Sequence, residues 1–498
     1  MIRSIAIITL ATLFSACQKE KYQIIIKGAN IVDGTGSPAY VADVGINADT
    51  IAFVGDLSKA EGEKVIDAKG QVLSPGFIDT HSHHDRGMFE NREMEALTSQ
   101  GVTTMIIGQD GGSQFPLKDL FSKLERTPIA LNVGSYTGHN RIRRDVLGEQ
   151  YDRIANPEEV EKMKSLLKED LENGSLGLST GLEYDPGIYS DPSEVIELAK
   201  VLSPYQARYI SHIRSEDRNF WSALNEIIAI GGQTGVPVQL SHAKLAMKSL
   251  WGQADKMIAK MDSARNAGIQ LTADIYPYTY WQSTMQVLFP ERNFNDLKAA
   301  QFALTELTTP EGVIIGNFSL QPEYVSKTLA EVAVMRNKSP EQTLMDLINW
   351  VEKENGEESI IATSMDESDI EKIMSWPYSN ICSDGSISGL HPRGHGSFPK
   401  IIRYYVRERN ALSLEEAVHK MTMQAAENLN LKKRGQLKPG FYADLVLFDP
   451  ATIADHATYE EPHAKSTGIS LVIVNGAEVL IDGKAVPNYP GQVLRRAK

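Results

Sequence analysis

Short apolar runs and amphipathic stretches alternate along most of the chain, and this alternation predicts parallel strands joined by helices. Apolar residues at helical spacing occur in Pro157 to Asn173, Ser193 to Leu202, Phe220 to Gly231 and Ala254 to Ala267. We predict eight strands, which end near His83, Asp110, His139, Leu182, Arg214, Lys244, Tyr278 and Asp384. Eight such units predict an α/β protein with a closed (β/α)8 barrel of the TIM type, in which the chemistry lies at the carboxyl ends of the strands.

The two ends of the chain have a different pattern, with short strand-like runs and no helical period. Asn475-Gly476 and Asp482-Gly483 are typical hairpin turns within the second of these regions. We predict the following organisation: residues 22–72 and 425–498 meet in one small β-sandwich, and residues 73–424 form the barrel. Residues from about 286 to 338 are too many for one crossover, so they predict an insertion.

The first residues have the pattern of an export signal. Arg3 precedes an apolar stretch from Ile5 to Phe14, which Ser15-Ala16-Cys17 follows. This pattern predicts a cleaved signal of residues 1–16, which is too short for a membrane span of about 20 residues. The stretch Phe14-Ser15-Ala16-Cys17 also resembles a bacterial lipoprotein box, although Phe14 stands where leucine is usual. We therefore expect a lipid anchor to the membrane on Cys17 and an address in the cell envelope, at the outer membrane or in the periplasm. A plain secretory signal with an incidental cysteine is the alternative.

Composition excludes several classes of function. The 498 residues include 50 basic and 64 acidic side chains, a net charge of −14. No basic cluster suits a phosphate backbone, so we expect no nucleic-acid partner. Cys17 and Cys382 are the two cysteines of the sequence, which leaves neither a disulfide framework nor a cysteine zinc cluster.

Polar side chains recur at the predicted strand ends. His81 and His83 alternate along the first strand and therefore point the same way, into the barrel mouth. The same spacing joins His212 with Arg214, His242 with Lys244, Asp274 with Tyr276 and Cys382 with Asp384. A lone strand histidine is usually structural, but four at the strand ends of one barrel predict a metal site. Imidazole nitrogens and carboxylate oxygens suit zinc.

The stretch from Ser74 to His83 resembles the first-strand motif of the amidohydrolase superfamily. Further stretches narrow the resemblance to the N-acyl-D-amino-acid deacylases, or D-aminoacylases: Gly177 to Gly181 with Tyr184, Ser211 to Arg214, Leu240 to Lys244, Asp274 to Tyr278, Ser383 to Gly385, His391 to Arg393 and Gly435 to Asp449. The resemblance covers nearly the whole chain after the signal, except the insertion. It implies hydrolysis of the amide bond of N-acyl-D-amino acids, with one or two divalent metal ions, in particular Zn²⁺.

By position, the resemblance also implies roles for individual residues. His81, His83 and Asp384 match the ligands of one metal, and His212 and His242 match those of the second. Asp384 matches the acid–base residue, which takes a proton from the attacking water and returns it to the departing amine.

Tyr184 resembles the residue that hydrogen-bonds the developing oxyanion. A buried tyrosine at the barrel rim is the alternative for this position.

One position departs from the family pattern. In the best-known members the second strand ends in a metal-binding cysteine, whereas Asp110 occupies that place here. We predict that Asp110 is a ligand whose hard oxygens can span two ions, and capping of the next turn is the alternative. Cys382 cannot substitute for that cysteine and is expected to pack in the barrel interior.

The α-carboxylate of a substrate needs cations and hydroxyls, and Lys244, Arg393 and Tyr276 or Tyr278 are the candidates. For Arg393 a loop-anchoring salt bridge is the alternative. His139 and His391 lie near the same face, with no role assigned to either.

Two other functions stay open. One is a different amidohydrolase reaction, the opening of a cyclic amide or the cleavage of a D-configured dipeptide. The other is a catalytically silent, anchored binding protein, against which the complete set of ligands argues.

Overall fold

The computed structural model describes residues 20–496, so the predicted signal and Cys17 lie outside the described residues. Its strands, in chain order, are β1 (Lys21–Ile31), β2 (Tyr40–Asn47), β3 (Thr50–Gly55), β4 (Glu61–Asp67), β5 (Val72–Pro75), β6 (Phe77–Asp79), β7 (Val102–Ile107), β8 (Asn132–Ser135), β9 (Thr137–Gly138), β10 (Gly177–Gly181), β11 (Arg208–His212), β12 (Val238–Leu240), β13 (Leu271–Ile275), β14 (Tyr280–Ser283), β15 (Val313–Phe318), β16 (Glu358–Thr363), β17 (Ser379–Ile381), β18 (Leu445–Phe448), β19 (Ile469–Val474), β20 (Ala477–Ile481) and β21 (Lys484–Ala485). Its α-helices are α1 (Glu95–Thr98), α2 (Leu117–Arg126), α3 (His139–Leu147), α4 (Pro157–Glu172), α5 (Pro192–Lys200), α6 (Phe220–Thr234), α7 (Ala254–Asn266), α8 (Leu297–Phe302), α9 (Leu329–Arg336), α10 (Pro340–Glu354), α11 (Glu367–Ser375), α12 (Arg393–Lys400), α13 (Leu414–Met421) and α14 (Met423–Asn428).

Strands β6 to β13 and β17 form the barrel. Every pair among them is parallel, and β8 and β9 are two parts of one strand interrupted at Tyr136. The barrel closes between its first and last strands: Asp384 donates its N–H to the carbonyl of His81, and His83 donates to Gly385, both at 2.8 Å. The predicted (β/α)8 barrel is therefore confirmed.

The barrel helices begin where the sequence provides caps. The side chain of Asn156 accepts from the N–H of Glu159, and the Glu159 carboxylate accepts in return from Asn156, with Pro157 at the first helical position of α4. Such a capping box satisfies backbone donors that the helix leaves free. The helices α4 to α7 follow the predicted ranges to within a few residues.

The two chain ends pair in one nine-stranded sheet, in the order β21-β20-β19-β18-β5-β1-β2-β3, with β4 on β1. Ile51 donates its N–H to Phe441, and Ala443 donates to Asp49, which brings the two sides of this sheet together. Apolar side chains of both ends share a core that is separate from that of the barrel. The predicted meeting of the termini is confirmed.

The insertion is a small unit between β13 and β17. Its sheet is antiparallel, in the order β14-β16-β15, and helices α8 to α10 pack on it around an apolar core of their own. It runs from Tyr280 to Thr363 and thus extends beyond the predicted 286–338 at both ends. The difference arises because the sequence of β14 resembles a continuation of the preceding barrel strand, and the sequence of α10 resembles an ordinary barrel helix.

No helix among residues 20–496 combines the length and apolar character that crossing a membrane demands.

Candidate metal centre and active site

The polar cluster lies at the carboxyl ends of the barrel strands, where the backbone turns sharply. Asp110, His242 and Asp384 all have left-handed φ angles, of 52°, 33° and 49°. Each follows closely after its strand. Non-glycine residues rarely adopt this conformation, and such strain is concentrated at functional sites. The local backbone therefore directs these three side chains into the barrel mouth.

Two carboxylates face the pair of histidines that follows β6. The Oδ1 atom of Asp384 lies 3.4 Å from Nε2 of His81 and 3.3 Å from Nε2 of His83. The Oδ2 atom of Asp110 lies 3.4 Å and 3.2 Å from the same two nitrogens. The four side chains predicted for the first metal site and its bridge are thus brought together.

The other oxygen of Asp110 faces the second pair of histidines. Its Oδ1 lies 3.3 Å from Nε2 of His242, which in turn lies 3.1 Å from Nδ1 of His212. The Tyr184 hydroxyl lies 3.2 Å from the same nitrogen of His212. Asp110 therefore stands between both predicted metal sites and uses one oxygen toward each.

Gly111 follows Asp110 and lies where the chain is closely packed. A Cβ at this position would lie 2.1 Å from Oδ1 of Asn140 and 2.9 Å from the backbone N of Gly181. The missing side chain thus lets the turn after β7 pack closely against α3 and the end of β10.

The charged groups of the cluster shift one another's pKa values. Although burial raises it, His81 and His242 hold the pKa of the Asp110 carboxyl well below its ordinary value. Arg393 and His242 lower the pKa of Asp384 in the same way against burial. Burial lowers the pKa of His83, but Asp110 and Asp384 raise it to about 9. Both carboxylates are therefore anionic and surrounded by positive charge, which is the environment that a bound divalent cation also provides.

Three of the four predicted substrate-binding residues lie at the cavity, and Tyr278 does not. Arg393 pairs with Asp384 at 2.5 Å, and Lys244 pairs with Glu216 at 2.6 Å. Tyr276 lies beneath Arg393, with the guanidinium carbon 4.9 Å from the ring centroid. All three line the same cavity as the metal cluster.

Tyr278 does not line this cavity. It packs on Lys400 and places its hydroxyl 3.5 Å from the carbonyl of Pro392. Strand alternation placed it beside Tyr276, but β13 ends at Ile275 and Pro277 redirects the chain. Arg214 leaves the mouth for the same reason, since β11 ends at His212: its guanidinium pairs with Glu226 at 2.8 Å.

Sequence reasoning missed two carboxylates of the site. Glu183 lies 2.9 Å from Nε2 of His212, and Glu216 lies 3.1 Å from Nδ1 of His242. Glu216, His212 and His242 form a second group whose geometry could hold a metal ion. Both glutamates lie in loops just beyond a strand end, and their nearness to Tyr184 and Arg214 in sequence was the available signal.

Three further residues take structural positions. His139 lies 2.7 Å from Glu194, which Arg143 also contacts at 3.0 Å, in a fully buried cluster. His391 accepts the N–H of Arg393 at 3.0 Å and lies 2.9 Å from the carbonyl of Tyr280, so it holds the loop that carries Arg393. Cys382 is completely buried, as expected.

A cavity opens at the barrel mouth. Its floor holds His212, His242, Asp384 and Tyr184, and its roof is formed by the insertion, through Trp281, Gln282, Ser283, Val287, Leu288 and Leu307. A floor of polar side chains beneath a partly apolar roof is typical of a site for a small organic ligand.

Comparison with known proteins gives consistent results. The model of the amidohydrolase family matches residues 64–295 and 326–480. The chain is 34% identical to an N-acyl-D-glutamate deacylase of Alcaligenes xylosoxydans xylosoxydans, over 96% of this chain and 97% of that protein. It is 33% identical to a D-aminoacylase of the same organism, over 97% of this chain and 99% of that protein.

A solved structure shares the fold. The crystal structure of N-acyl-D-glutamate deacylase from Bordetella bronchiseptica, complexed with zinc and a phosphonate inhibitor that mimics the tetrahedral intermediate, superimposes with a TM-score of 0.87. Identity is 32%, and the match covers 96% of this chain and 100% of that one.

Proposed function

The chain belongs to the amidohydrolase family, in the group of the N-acyl-D-amino-acid deacylases, and from that premise we propose that it hydrolyses N-acyl-D-amino acids to a carboxylate and a free D-amino acid. One observation carries the proposal: a carboxylate and histidine cluster suited to metals shares one cavity with two cations suited to an α-carboxylate. A linear N-acyl amino acid presents both an amide and a carboxylate, joined to the same carbon atom.

The residues of the cluster fit a metal ion. Among the described residues, Nδ1 and Nε2 of His81 and Oδ1 of Asp110 are buried and make no hydrogen bond. A buried polar atom without a partner costs about 1–3 kcal/mol, so a cation at this point would stabilise the site.

His81, His83 and Asp384 would hold one ion, His212 and His242 the other, with Asp110 between them. Nitrogen and oxygen donors of this kind suit zinc. When bound, such an ion activates water and polarises the amide carbonyl.

Asp384 is the acid–base residue of the proposed reaction. Its Oδ1 lies among the metal-binding histidines, while Arg393 binds its Oδ2 and fixes the plane of the carboxylate. An ionised carboxylate at this point can take the proton of the attacking water and return it to the amine that leaves.

Tyr184 supports the carbonyl side of the reaction. Burial raises the pKa of its hydroxyl well above the ordinary value, so the hydroxyl keeps its proton. Its position against His212 allows it to donate a hydrogen bond to the amide oxygen as negative charge develops there.

Lys244 and Arg393 are the proposed grip on the α-carboxylate of the substrate. Arg393 can bind it through a second face of its guanidinium, because its Nε has no partner among the described residues. Tyr276, whose buried hydroxyl also makes no hydrogen bond, supplies a further donor.

A screen of N-acetyl amino acids as D and L enantiomers tests this function. We expect release of free amino acid from the D series, at least about 100-fold faster in kcat/KM than from the L series. The two cations fix the α-carboxylate and the metal cluster fixes the amide, so the two enantiomers direct their side chains to different walls of the cavity. A chelator should abolish the activity, and added zinc should restore it. Equal turnover of both enantiomers, or faster opening of a cyclic amide such as a hydantoin, would contradict the proposal.

For the envelope address, the support is the sequence pattern that ends at Cys17. We infer that lipid on this residue anchors the enzyme to a membrane, since more than one acyl chain gives stable attachment. Wild-type protein expressed in a bacterial host should fractionate with membranes and incorporate labelled palmitate, whereas Cys17→Ser should do neither. Wild-type protein that is found soluble in the periplasm would refute the anchor.

A further inference from the structure

The walls of the cavity carry an unequal balance of charge. Among the described residues that line it, the cations are Lys244 and Arg393 and the carboxylates are Glu183, Glu216, Asp217 and Asp384. The proposed metal ions would offset Asp384 and the carboxylates beside His212 and His242, whereas no ion pair among the described residues involves Asp217. Lys244 contacts both oxygens of Glu216, at 2.6 and 2.8 Å, and Arg393 contacts Asp384 at 2.5 Å. Since the substrate's α-carboxylate also uses these two cations, neither is left for a second carboxylate.

Two arginines close to the roof, Arg292 and Arg218, are bound by other groups of the protein. Arg292 pairs with Asp185 at 2.9 Å and donates to the carbonyls of Glu183, Gln286 and Phe289. The guanidinium of Arg218 lies over the ring of Phe302, 4.2 Å from its centroid. Arg218 also donates through Nη2 to the carbonyl of Leu288 at 3.5 Å. Neither arginine lines the cavity, so neither offers a direct hydrogen bond to an anion inside it.

The roof of the cavity is uncharged, and its apolar side chains lie beside the polar Gln282 and Ser283. Leu288 and Leu307 are buried and belong to the insertion's own core, while Val287 and Trp281 are partly exposed. Ala246 continues this surface from the barrel. The acyl group and the side chain of a substrate flank its amide, so both must lie against the surfaces that the cations leave.

We propose that this cavity selects N-acyl-D-amino acids with uncharged, mainly apolar side chains and rejects those of D-glutamate and D-aspartate. The inference rests on the proposed function and deepens it. A second carboxylate would lose its hydration against Leu288 and Leu307 and would face Asp217 without a counter-ion. Both effects oppose binding. The preference would thus differ from that of the relative that acts on N-acyl-D-glutamate.

Isosteric substrates separate charge from shape. N-acetyl-D-glutamine has nearly the shape of N-acetyl-D-glutamate without its charge, and N-acetyl-D-leucine represents the apolar class. We expect kcat/KM for the leucine and glutamine substrates to exceed that for the glutamate substrate by about 100-fold. An advantage of less than tenfold for either of them would overturn the inference. If N-acetyl-D-leucine, N-acetyl-D-glutamine and N-acetyl-D-glutamate all remain intact, the proposed function fails instead.

A variant at the roof tests where the side chain lies. Val287→Lys adds a cation to the apolar wall without changing the metal cluster, and Val287→Met adds similar length without charge. We expect Val287→Lys to raise the ratio of kcat/KM for N-acetyl-D-glutamate to that for N-acetyl-D-leucine by at least about tenfold. Val287→Met should leave this ratio near the wild-type value, whatever it does to the two rates. A folded Val287→Lys protein that still hydrolyses N-acetyl-D-leucine but leaves this ratio unchanged would overturn the placement.

Asp217 provides a second test within the same wall. Its Oδ1 accepts from the Ser215 hydroxyl at 2.6 Å, and an asparagine can keep this bond. Asp217→Asn is therefore expected to lower the ratio of kcat/KM for N-acetyl-D-glutamine to that for N-acetyl-D-glutamate several-fold. Asp217→Glu should preserve this ratio. An unchanged ratio in Asp217→Asn would exclude repulsion by this carboxylate and overturn that part of the inference.

Discussion

Replacing Asp384 by asparagine is expected to lower kcat by about 10²–10⁴-fold. The amide has the shape of the carboxylate but cannot take a proton from water and return it to the leaving amine. The measurement is kcat with N-acetyl-D-leucine at saturating zinc, together with the metal content of the same sample, because Asp384 would also be a ligand.

A matched control separates this effect from general damage. Asp145→Asn changes a carboxylate on α3 that pairs with Arg141 at 3.0 Å on the surface, and it should leave kcat and thermal stability near the wild-type values. A folded, metal-loaded Asp384→Asn enzyme with kcat within a factor of ten of wild type would remove Asp384 from the acid–base role.

Loss of Asp110 is expected to have a comparable effect for a different reason. Its two oxygens lie 3.2 Å and 3.3 Å from His83 and His242, on opposite sides of the cluster. In a site with two cations, an anionic bridge of this kind reduces their repulsion. Asp110→Ala should therefore lower metal affinity by more than the roughly 10–100-fold typical of losing an indirect partner, and turnover should nearly cease.

Replacing Asp110 by cysteine keeps a negative charge at this position but changes the donor atom from oxygen to sulfur. A thiolate is softer than a carboxylate and favours one tightly held zinc, so Asp110→Cys should retain one ion per chain while wild type binds two ions more evenly. Metal titration followed by elemental analysis gives both numbers. Wild type that saturates at one ion, or an Asp110→Ala protein with undiminished metal and activity, would exclude the bridge.

Much of the fold could be predicted because its signals are local. The barrel strands and helices α4 to α7 follow from short apolar runs and helical spacing, and the histidines of the site stand at, or just beyond, the ends of β6, β11 and β12. The predicted shared direction of His81 and His83 also holds, although both lie beyond the end of β6, because hydrogen bonds to Asp384 and Gly385 continue the pairing past the strand. These features depend on a few neighbouring residues, so a single sequence contains them.

The parts that could not be predicted depend on where a strand stops. Alternation continues only while the backbone is extended, so Tyr278 and Arg214, each beyond a strand end, point away from the mouth. Glu183 and Glu216 reach the site from loops, for which no periodicity exists. The insertion was underestimated because its antiparallel pairing joins segments that are far apart in sequence, β14 and β16.

The hydrogen bonds that join His81 to Asp384 and His83 to Gly385 also govern when the enzyme becomes active. They lie at the seam between the first and last barrel strands, so the two halves of the metal cluster meet only after nearly the whole barrel has been synthesised. During translation the N-terminal part emerges first, and His81 and His83 then lack Asp384, one of their two partner carboxylates. A nascent chain is accordingly inert, and an ion bound across the seam would favour the closed barrel over the open one.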